Sequence, residues 1–432
     1  MCIWNPEFEQ MERDKLIELQ NGRLSKIISY VYTNVPFYKK KMDHADIKPA
    51  DIKGIDLISK LPFTKKVDFR DNYPTDTFAR SLKDIIRIHA SSGTSGKPTV
   101  VGYTQNDLEL WSELIARLAV AGGVCSEDVV QIAFGYGLFT GGFGLHYGCE
   151  KIGATIIPAS SGNTERQLML MQDIGTTVLV CTPSYALYLG ETIVDSGLKD
   201  KLKLKYGLFG GEAWSEDMRK EIEMLLGIKA TDNYGLSEII GPGVSYECLY
   251  QDGMHISEDH FYAEIIDPST GEVLPEGEEG ELVITTLSKE ALPVIRYRTG
   301  DITSIDSTPC SCGRTNMRMR KTKGRSDDML VIRGVNVFPS QVESVLAEFE
   351  HTKPHYQIIV DRQSNLDSFE LLVEVSEEIL SDNMREFKLF ENNLSHRLQS
   401  VLGIKVDLKI VEPRTLERYT GKATRIIDKR QF

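Results

Sequence analysis

Apolar residues recur along the chain with two periods, and the two alternate over its middle part. Segments 165–175, 183–197 and 216–227 carry apolar residues at helical spacing, and the last of them ends in glycine. The runs between them are short and rich in β-formers, which predicts strands at VVQIAF (129–134), ATIIPA (154–159), TVLVC (177–181) and KYGLFGG (205–211). This alternation predicts an α/β fold, with parallel sheets covered by helices.

The two ends of the chain differ from this middle part. Residues 12–34 have the spacing of a long helix that ends before Pro36. After about Glu238, FYAEIIDP (261–268) and GELVITTL (280–287) predict antiparallel strands joined by a polar turn. From Arg333 onward the pattern is that of a small α+β domain. We therefore expect two domains, residues 1–326 and 327–432, with the boundary near Asp327.

Composition and charge exclude several classes of protein. The chain has 432 residues, of which 41% are hydrophobic and 26% charged, as in ordinary globular proteins. Its net charge of −13 argues against general binding to nucleic acid or to anionic membranes, since both are polyanions. Residues 1–14 lack the pattern of a signal peptide, and the cysteine count is seven, an odd number. We expect a cytoplasmic protein with reduced thiols.

Residues 129–149 contain no Asp, Glu, Lys or Arg, and the segment is long enough to span a bilayer. It is also rich in glycine, which would make a lipid-exposed helix weak. We therefore expect no membrane span, and instead a buried wall of a pocket loosened by glycine. A basic stretch between Arg314 and Arg325 leaves two alternatives: a solvated strand and linker, which is favoured, or a phosphate contact.

The strongest local signal is the segment from Ser91 to Pro98, SSGTSGKP. Hydroxyls, glycines and one lysine in eight residues predict a loop whose amides and side chains surround a polyanion. It is not a Walker A loop, because Ser91 replaces the first glycine and Pro98 follows the lysine. The alternative is a plain flexible turn.

This loop resembles the phosphate-binding signature of the adenylate-forming superfamily. Further signatures of that superfamily follow in order: DNYGLSE (232–238), GEEGEL (277–282), RYRTGD (296–301), GRSDDMLVIRGVNVFP (324–339) and GKATR (421–425). The segments FGYGLFTGG, RYRTGD and RGVNVFP resemble those of the phenylacetate–CoA ligase family within this superfamily. The resemblance covers nearly the whole chain. It implies a large adenylate-forming domain and a small mobile C-terminal domain.

The resemblance implies a nucleotide site. Lys97 and its loop would hold the β- and γ-phosphates of ATP, Glu238 would ligate Mg²⁺, and Asp301 would accept hydrogen bonds from the ribose hydroxyls. The residues implied to bind ATP or AMP are Ser91, Ser92, Gly93, Thr94, Ser95, Gly96, Lys97, Gly211, Glu212, Ala213, Asn233, Tyr234, Gly235, Asp301 and Arg325. For the glycines, turns that simply end strands are the alternative.

The C-terminal signatures imply a moving part. Lys422 would enter the active site for adenylation and leave it for thioester formation. Asp327 matches the hinge position of the family, and Arg333 and Gly334 would line the CoA channel after rotation. The catalytic residues expected from the resemblance are therefore Lys422, Glu238 and Lys97.

The acid pocket is expected at the uncharged segment and after Glu238. The residues expected to line it are Tyr136, Phe139, Gly141, Gly142, His146, Ile240 and Pro242. Paired glycines leave room for a flat ring, against which aromatic side chains pack. Aromatic residues in apolar stretches are also usual core residues, and His146 is equally compatible with a structural role, so both alternatives stay open.

The cysteines predict a metal site. Cys310 and Cys312 lie in a PCSCG turn that resembles a metal knuckle, and Cys248 and His255 lie close together upstream. Three thiolates and an imidazole form a tetrahedral structural Zn²⁺ site. Free thiols are the alternative. Some members of the phenylacetate–CoA ligase family lack cysteines in this turn, so zinc is not expected to take part in the reaction.

We therefore expect ATP-dependent ligation of an aryl acid, phenylacetate before others, to CoA through an acyl-adenylate, with release of AMP and pyrophosphate. The alternatives are a ligase for hydroxyphenylacetate, a benzoate-type acid or indoleacetate, one that loads a carrier-protein thiol, and a nucleotide-binding protein that has lost catalysis. The expected partners are the acid, ATP and CoA, with neither nucleic acid nor membrane. A homodimer is left open.

Overall fold

The computed structural model describes residues 2–91, 98–325, 330–332, 335–363, 366–381, 384–418 and 425–430. The strands, in chain order, are β1 (Arg87–Ala90), β2 (Val100–Tyr103), β3 (Val129–Ile132), β4 (Thr155–Ile157), β5 (Val178–Cys181), β6 (Tyr206–Gly210), β7 (Lys229–Leu236), β8 (Gly241–Glu247), β9 (Met254–Ile256), β10 (Phe261–Ile266), β11 (Gly280–Thr286), β12 (Tyr297–Thr303), β13 (Ile305–Asp306), β14 (Arg318–Met319), β15 (Gly324–Arg325), β16 (Leu330–Ile332), β17 (Val335–Val337), β18 (Thr352–Gln363), β19 (Leu366–Val375), β20 (Asp407–Val411) and β21 (Ile426–Asp428).

Helices cover these strands. In chain order they are α1 (Pro6–Glu9), α2 (Arg13–Asn34), α3 (Pro36–His44), α4 (Lys66–Asp71), α5 (Gln105–Ala121), α6 (Gly141–Ile152), α7 (Thr164–Leu170), α8 (Pro183–Asp195), α9 (Glu216–Leu226), α10 (Pro339–Leu346), α11 (Glu377–Ser381) and α12 (Met384–Leu402). A π-helical turn, Met171–Gly175, continues α7, and 3₁₀ turns lie at Pro49–Asp51, Ile55–Lys60 and Lys199–Lys201. Pro36 begins α3, where its fixed φ suits the first helical position.

The largest sheet of the described residues has the strand order β13-β14-β9-β8-β7-β6-β5-β3-β4. The run from β4 to β7 is parallel, and from β7 to β13 the pairing is antiparallel. The α/β fold class is therefore confirmed, with an antiparallel extension. A second sheet, β10-β11-β12-β15, is antiparallel, as predicted for the first two of these strands.

The C-terminal residues form a sheet with the order β20-β19-β18-β21, covered by α10 and α12. Apolar side chains between Leu330 and Ile426 form a separate buried cluster. This arrangement agrees with a small α+β unit. The domain bounds themselves, 1–326 and 327–432, stay a prediction, because the hinge residue Asp327 lies outside the described residues.

The uncharged segment forms β3, a turn and α6, and α6 packs against α5. The two helices come close because α6 presents glycine where α5 presents Trp111 and Ile115. A Cβ on Gly144 would lie 2.4 Å from the Trp111 ring, and one on Gly148 would lie 2.2 Å from Ile115 Cγ2. Among the described residues, no helix has the length and hydropathy that crossing a membrane requires.

Candidate active site

A cavity of about 180 Å³ opens where β6 and β7 end. Ligands of open α/β sheets bind at the carboxyl ends of the strands, so this is the expected place for a nucleotide. Gly211 follows β6 with a φ of +84°, in the left-handed region that favours glycine. The lining residues are Gly211, Glu212, Ala213, Trp214, Asp232, Asn233, Tyr234, Gly235, Leu236, Met254, Asp301, Lys321, Thr322 and Gly324.

Asp301 lies at the edge of this cavity on β12 and is 5% exposed. Its Oδ2 accepts a hydrogen bond from the Tyr234 hydroxyl at 2.5 Å, and its backbone N–H donates to Thr299 Oγ1 at 3.0 Å. In the sheet it stands opposite Arg325 of β15. The carboxylate is thus held in one orientation, which suits the binding of hydroxyl groups. The Arg325 side chain is outside what the structure describes.

The floor of the cavity depends on close backbone packing. Asn233 Nδ2 donates to the carbonyl of Phe209 at 2.5 Å, which ties the ends of β6 and β7 together. A Cβ on Gly210 would lie 2.4 Å from the Asn233 carbonyl oxygen, so this position requires glycine. Glu212 Oε1 accepts from the backbone N–H of Ser184 at 2.6 Å. Backbone and side-chain amide groups thus lie at this end of the cavity.

Glu238 lies in the turn between β7 and β8 and is 7% exposed. Its Oε1 accepts from the Tyr297 hydroxyl at 2.7 Å. A buried, oriented carboxylate matches the oxygen ligands that Mg²⁺ prefers. Glu238 is not among the residues that line the cavity, although Leu236, two residues earlier, is.

Ser91 lies at the start of the segment that is expected to bind phosphate. Its N–H donates to the carbonyl of Thr99 and its Oγ accepts from the N–H of Thr99, both at 3.0 Å. Ala90 donates to the carbonyl of Leu138 at 2.9 Å, so the loop starts beside the uncharged segment. The other residues of the loop, together with several C-terminal ones, lie outside the described residues: Ser92, Gly93, Thr94, Ser95, Gly96, Lys97, Asp327, Arg333, Gly334 and Lys422.

The residues expected to form the acid pocket lie around the start of α6. The Tyr136 hydroxyl lies 3.1 Å from His146 Nδ1, and His146 Nε2 lies 3.0 Å from Glu150 Oε1. His146 therefore has a partner on each ring nitrogen. Burial raises the pKa of the Tyr136 hydroxyl. Phe139, by contrast, is 53% exposed.

The remaining pocket candidates differ in packing. A Cβ on Gly142 would lie 3.0 Å from the carbonyl oxygen of Gly135, whereas one on Gly141 would make ordinary contact with Phe134. Ile240 is fully buried, and the carbonyl of Pro242 accepts from Trp111 Nε1 at 2.9 Å. Assignment of these residues to an acid pocket stays a prediction.

Cys248, His255, Cys310 and Cys312 come together as the sequence predicts. Their candidate ligand atoms all lie within 4.8 Å of one another, and all four residues are buried. Cys248 Sγ is 3.8 Å from Cys310 Sγ, and Cys312 Sγ is 3.3 Å from His255 Nε2. Zn–S bonds of ~2.3 Å in a tetrahedron place two sulfurs about 3.8 Å apart. The donor set and its spacing therefore fit zinc.

The cysteine–histidine cluster faces away from the cavity at the ends of β6 and β7. His255 belongs to β9, where successive side chains point to opposite faces, and its neighbour Met254 lines the cavity. The other four free cysteines are scattered, with Cys2 and Cys125 exposed and Cys149 and Cys181 buried. A metal here would connect two strands and a turn and would not meet the substrates.

Sequence reasoning missed part of the cavity lining. Trp214 directly follows the Gly-Glu-Ala signature, and Lys321 lies 4.5 Å from the centroid of its ring. Lys321 also pairs with Glu216 at 2.8 Å. Lys321 belongs to the basic stretch between Arg314 and Arg325. The less favoured interpretation of that stretch, a phosphate contact, is the sequence signal that could have indicated a residue of the cavity. The favoured interpretation as a solvated stretch is wrong for Arg314 and Arg318, which are each 1% exposed.

These two arginines are buried because each has an acidic partner. Arg314 Nε donates to Glu9 Oε2 at 2.5 Å, and Arg318 Nη1 donates to Asp252 Oδ2 at 2.5 Å. A buried charge is tolerated when it is paired and hydrogen-bonded. Both partners are remote in sequence, so the composition of the stretch alone does not reveal the pairing.

Comparison with known proteins identifies two family profiles. The one described as "AMP-binding enzyme" matches residues 13–288, and "AMP-binding enzyme C-terminal domain" matches residues 334–430. A phenylacetate-coenzyme A ligase of Escherichia coli is 50% identical over 100% of this chain and 99% of its own length. A phenylacetate-coenzyme A ligase of Thermus thermophilus is 47% identical over 99% of this chain and 100% of its own.

Solved structures of one 2-hydroxyisobutyryl-CoA ligase, 29% identical to this chain, give two different fits. Its postadenylation state in complex with 2-HIB-AMP superposes with a TM-score of 0.92, covering 99% of this chain and 92% of that one. Its thioesterification state with 2-HIB-AMP and CoA gives 0.73 at 98% and 91% coverage. The arrangement of the present chain therefore matches the postadenylation state better.

Proposed function

Because the chain belongs to the phenylacetate–CoA ligase family of AMP-binding enzymes, we propose that it joins phenylacetate to coenzyme A with ATP. The acid oxygen attacks the α-phosphorus and displaces pyrophosphate, and the CoA thiolate then attacks the acyl carbon and displaces AMP. The observation that carries the proposal is the cavity at the ends of β6 and β7. Seven of the residues assigned to the nucleotide from sequence line it, from Gly211 to Asp301.

In this proposal the cavity holds the AMP part of ATP and of the adenylate. The slot beside Asn233 takes the adenine, and Asp301 accepts the ribose hydroxyls while Tyr234 fixes its carboxylate. Catalysis then depends mainly on held charges and hydrogen bonds, because both steps bring negative groups together.

The phosphates extend from this cavity toward the loop that starts at Ser91. Lys97 and the loop amides would hold the β- and γ-phosphates. Glu238 would ligate Mg²⁺, which when bound would neutralise charge on the phosphates. Tyr297 keeps the Glu238 carboxylate in position for this role.

The small C-terminal unit would change its position between the two steps. Lys422 would stabilise the negative charge of the adenylation step, and Arg333 and Gly334 would line the CoA channel after rotation about Asp327. The unequal fit to two states of one related ligase supports such a movement. Lys422→Ala should abolish adenylation but largely spare thioester formation from supplied phenylacetyl-adenylate. Equal loss of both half-reactions would contradict the two-position mechanism.

The chemistry of the acid pocket sets the choice of acid. We assign Tyr136, Phe139, Gly141, Gly142, His146, Ile240 and Pro242 to this pocket. The Tyr136–His146–Glu150 contacts offer polar groups beside aromatic side chains, which suits an arylacetate and leaves a hydroxylated ring as the alternative.

We propose that bound zinc has a structural role and takes no part in the reaction. Zinc at Cys248, His255, Cys310 and Cys312 would hold the turn after β13 against β8 and β9. We also propose that the enzyme acts in the cytoplasm, where these thiols stay reduced until metal binds. A homodimer stays an open expectation.

The test of the proposed function is acid-dependent AMP release from ATP and CoA across aryl and aliphatic acids. Phenylacetate should give the highest kcat/KM, and Asp301→Asn should raise the KM for ATP while Cys125→Ser, at an exposed thiol, changes nothing. A wild-type protein that releases no AMP with any aryl acid would refute the proposal.

A further inference from the structure

Lys289 is a buried lysine that the mechanism above does not use. It is 1% exposed, and its Nζ donates to the carbonyl oxygens of Glu238 at 3.3 Å and Ile239 at 2.6 Å. The same ammonium lies 5.1 Å from the centroid of the Tyr103 ring. A neutral donor could also donate to these carbonyl oxygens, and burying it would cost less desolvation free energy than burying an ammonium group. The charge of this side chain therefore requires an explanation.

The ammonium lies in the field of two carboxylates. Burial lowers the pKa of Lys289 to about 8, while the carboxylates of Asp107 and Glu238 act in the opposite direction. Because Lys289 Nζ donates to the carbonyl oxygen of Glu238, it fixes the backbone from which the Glu238 carboxylate projects.

Other buried donors hold the rest of the same turn. The Tyr103 hydroxyl donates to the carbonyl of Ile240 at 2.9 Å, and Trp111 Nε1 donates to that of Pro242 at 2.9 Å. Lys289 is the charged member of this set and the one that contacts Glu238 itself. With Tyr297 on the carboxylate, Glu238 is held at both its backbone and its side chain.

Lys289 is in turn fixed by the start of α5. Asp107 accepts hydrogen bonds from the backbone N–H groups of Glu290 at 2.8 Å and Ala291 at 2.9 Å. It also accepts from the N–H of Thr104, the N-cap of the helix, at 3.0 Å. The lysine therefore projects from a backbone that cannot shift easily.

We propose that Lys289 is a positioning residue that sets the carboxylate of Glu238 for the Mg²⁺–ATP complex. This inference rests on the proposed function, because it takes Glu238 as the metal ligand. Residues that orient a metal ligand contribute roughly 10–100-fold to metal affinity or activity. We expect Lys289→Met to raise the Mg²⁺ concentration at half-maximal ATP binding by about tenfold or more.

The test is calorimetric titration of ATP at several Mg²⁺ concentrations, together with AMP release. Lys289→Arg, which keeps a buried cation and donors, should recover most of the loss. The matched control is Lys199→Met, since Lys199 Nζ also donates to a backbone carbonyl, that of Met224 at 2.6 Å, but at the exposed surface. It should leave the Mg²⁺ dependence unchanged, and the KM for CoA should stay constant in all variants.

An unchanged Mg²⁺ dependence in folded Lys289→Met overturns the inference, even if total activity falls. If Lys289→Met does not fold, Lys289→Gln, which keeps a donor but no charge, is measured in its place, and an unchanged Mg²⁺ dependence there overturns the inference equally. If the wild-type protein releases no AMP, the proposed function fails. The calorimetric comparison then still decides the role of Lys289, because it requires no turnover.

Discussion

The contact between α5 and α6 provides a sharp test of why the uncharged segment is rich in glycine. Gly148 lies in the middle of α6, where alanine would normally favour a helix by about 1 kcal/mol. Here a Cβ would lie 2.2 Å from Ile115 Cγ2 and 2.9 Å from the backbone carbon of Ile115. The backbone atom cannot rotate away, so the two helices would have to separate.

The two effects have opposite signs and can be compared. Inserting a methyl group into a packed core lowers the free energy of unfolding by about 1–3 kcal/mol. Because the added methyl would meet a β-branched side chain and a backbone atom, we expect a loss near the upper end of this range. After the helix-propensity gain of about 1 kcal/mol, Gly148→Ala should be destabilised by about 2 kcal/mol. The control is Gly22→Ala in α2, where a Cβ meets nothing within 4 Å. This variant should gain about 0.5–1 kcal/mol.

Urea unfolding at 25 °C, followed by tryptophan fluorescence and far-UV circular dichroism, measures both variants against the wild type. The midpoint should fall for Gly148→Ala and rise for Gly22→Ala, with a constant slope m. A Gly148→Ala midpoint at or above that of the wild type would refute the reasoning, since the glycine would then have no packing role.

Three further predictions concern the metal cluster, the docking of the C-terminal unit and a partly buried acid that lines the cavity. Cys312→Ser should lower bound zinc, measured by mass spectrometry of metals, from about one equivalent, and should lower stability while the KM for ATP stays unchanged. Glu191→Gln removes the negative charge that α8 offers to His355 at 3.1 Å, so limited proteolysis should be faster. Asp195→Asn, which removes a charge from an exposed pair with Arg414, should have little effect. Burial, with the carboxylate of Glu247 second, raises the pKa of Asp232 from 3.8 to about 7. Between these two pKa values the folded state binds more protons than the unfolded state, so the stability of the wild type falls as pH rises through them. Asp232→Asn lacks this loss. In urea unfolding, its stability minus that of the wild type should therefore be larger at pH 8 than at pH 5.

Much of the fold and part of the site follow from local pattern. The strands from β3 to β6 and the helices α8 and α9 lie within two residues of their predicted bounds, since hydrophobic period and glycine stops act over short distances. The order of the signatures likewise identifies the family. The sequence also predicts the cysteine–histidine cluster. Cysteine and histidine are uncommon residues, so two closely spaced pairs of them indicate that the pairs lie together in the fold.

What the pattern could not supply depends on contacts between remote residues. Arg314 is buried because Glu9 meets it from the other end of the N-terminal part, and the basic stretch alone indicated solvent. Lys289 carries no motif, and its contact with the turn after β7 exists only in the folded chain. The glycines of α6 looked like loosening elements and prove to be close-packing positions against α5.

The sequence by itself thus determined the α/β class, the family, the nucleotide signatures and the candidate metal ligands, because each rests on spacing within a few residues or on rare side chains. The tertiary structure decided which charges are buried, which residues complete the cavity and why glycine stands at Gly144 and Gly148. These properties depend on what packs against a residue, and its partner lies tens to hundreds of residues away along the chain.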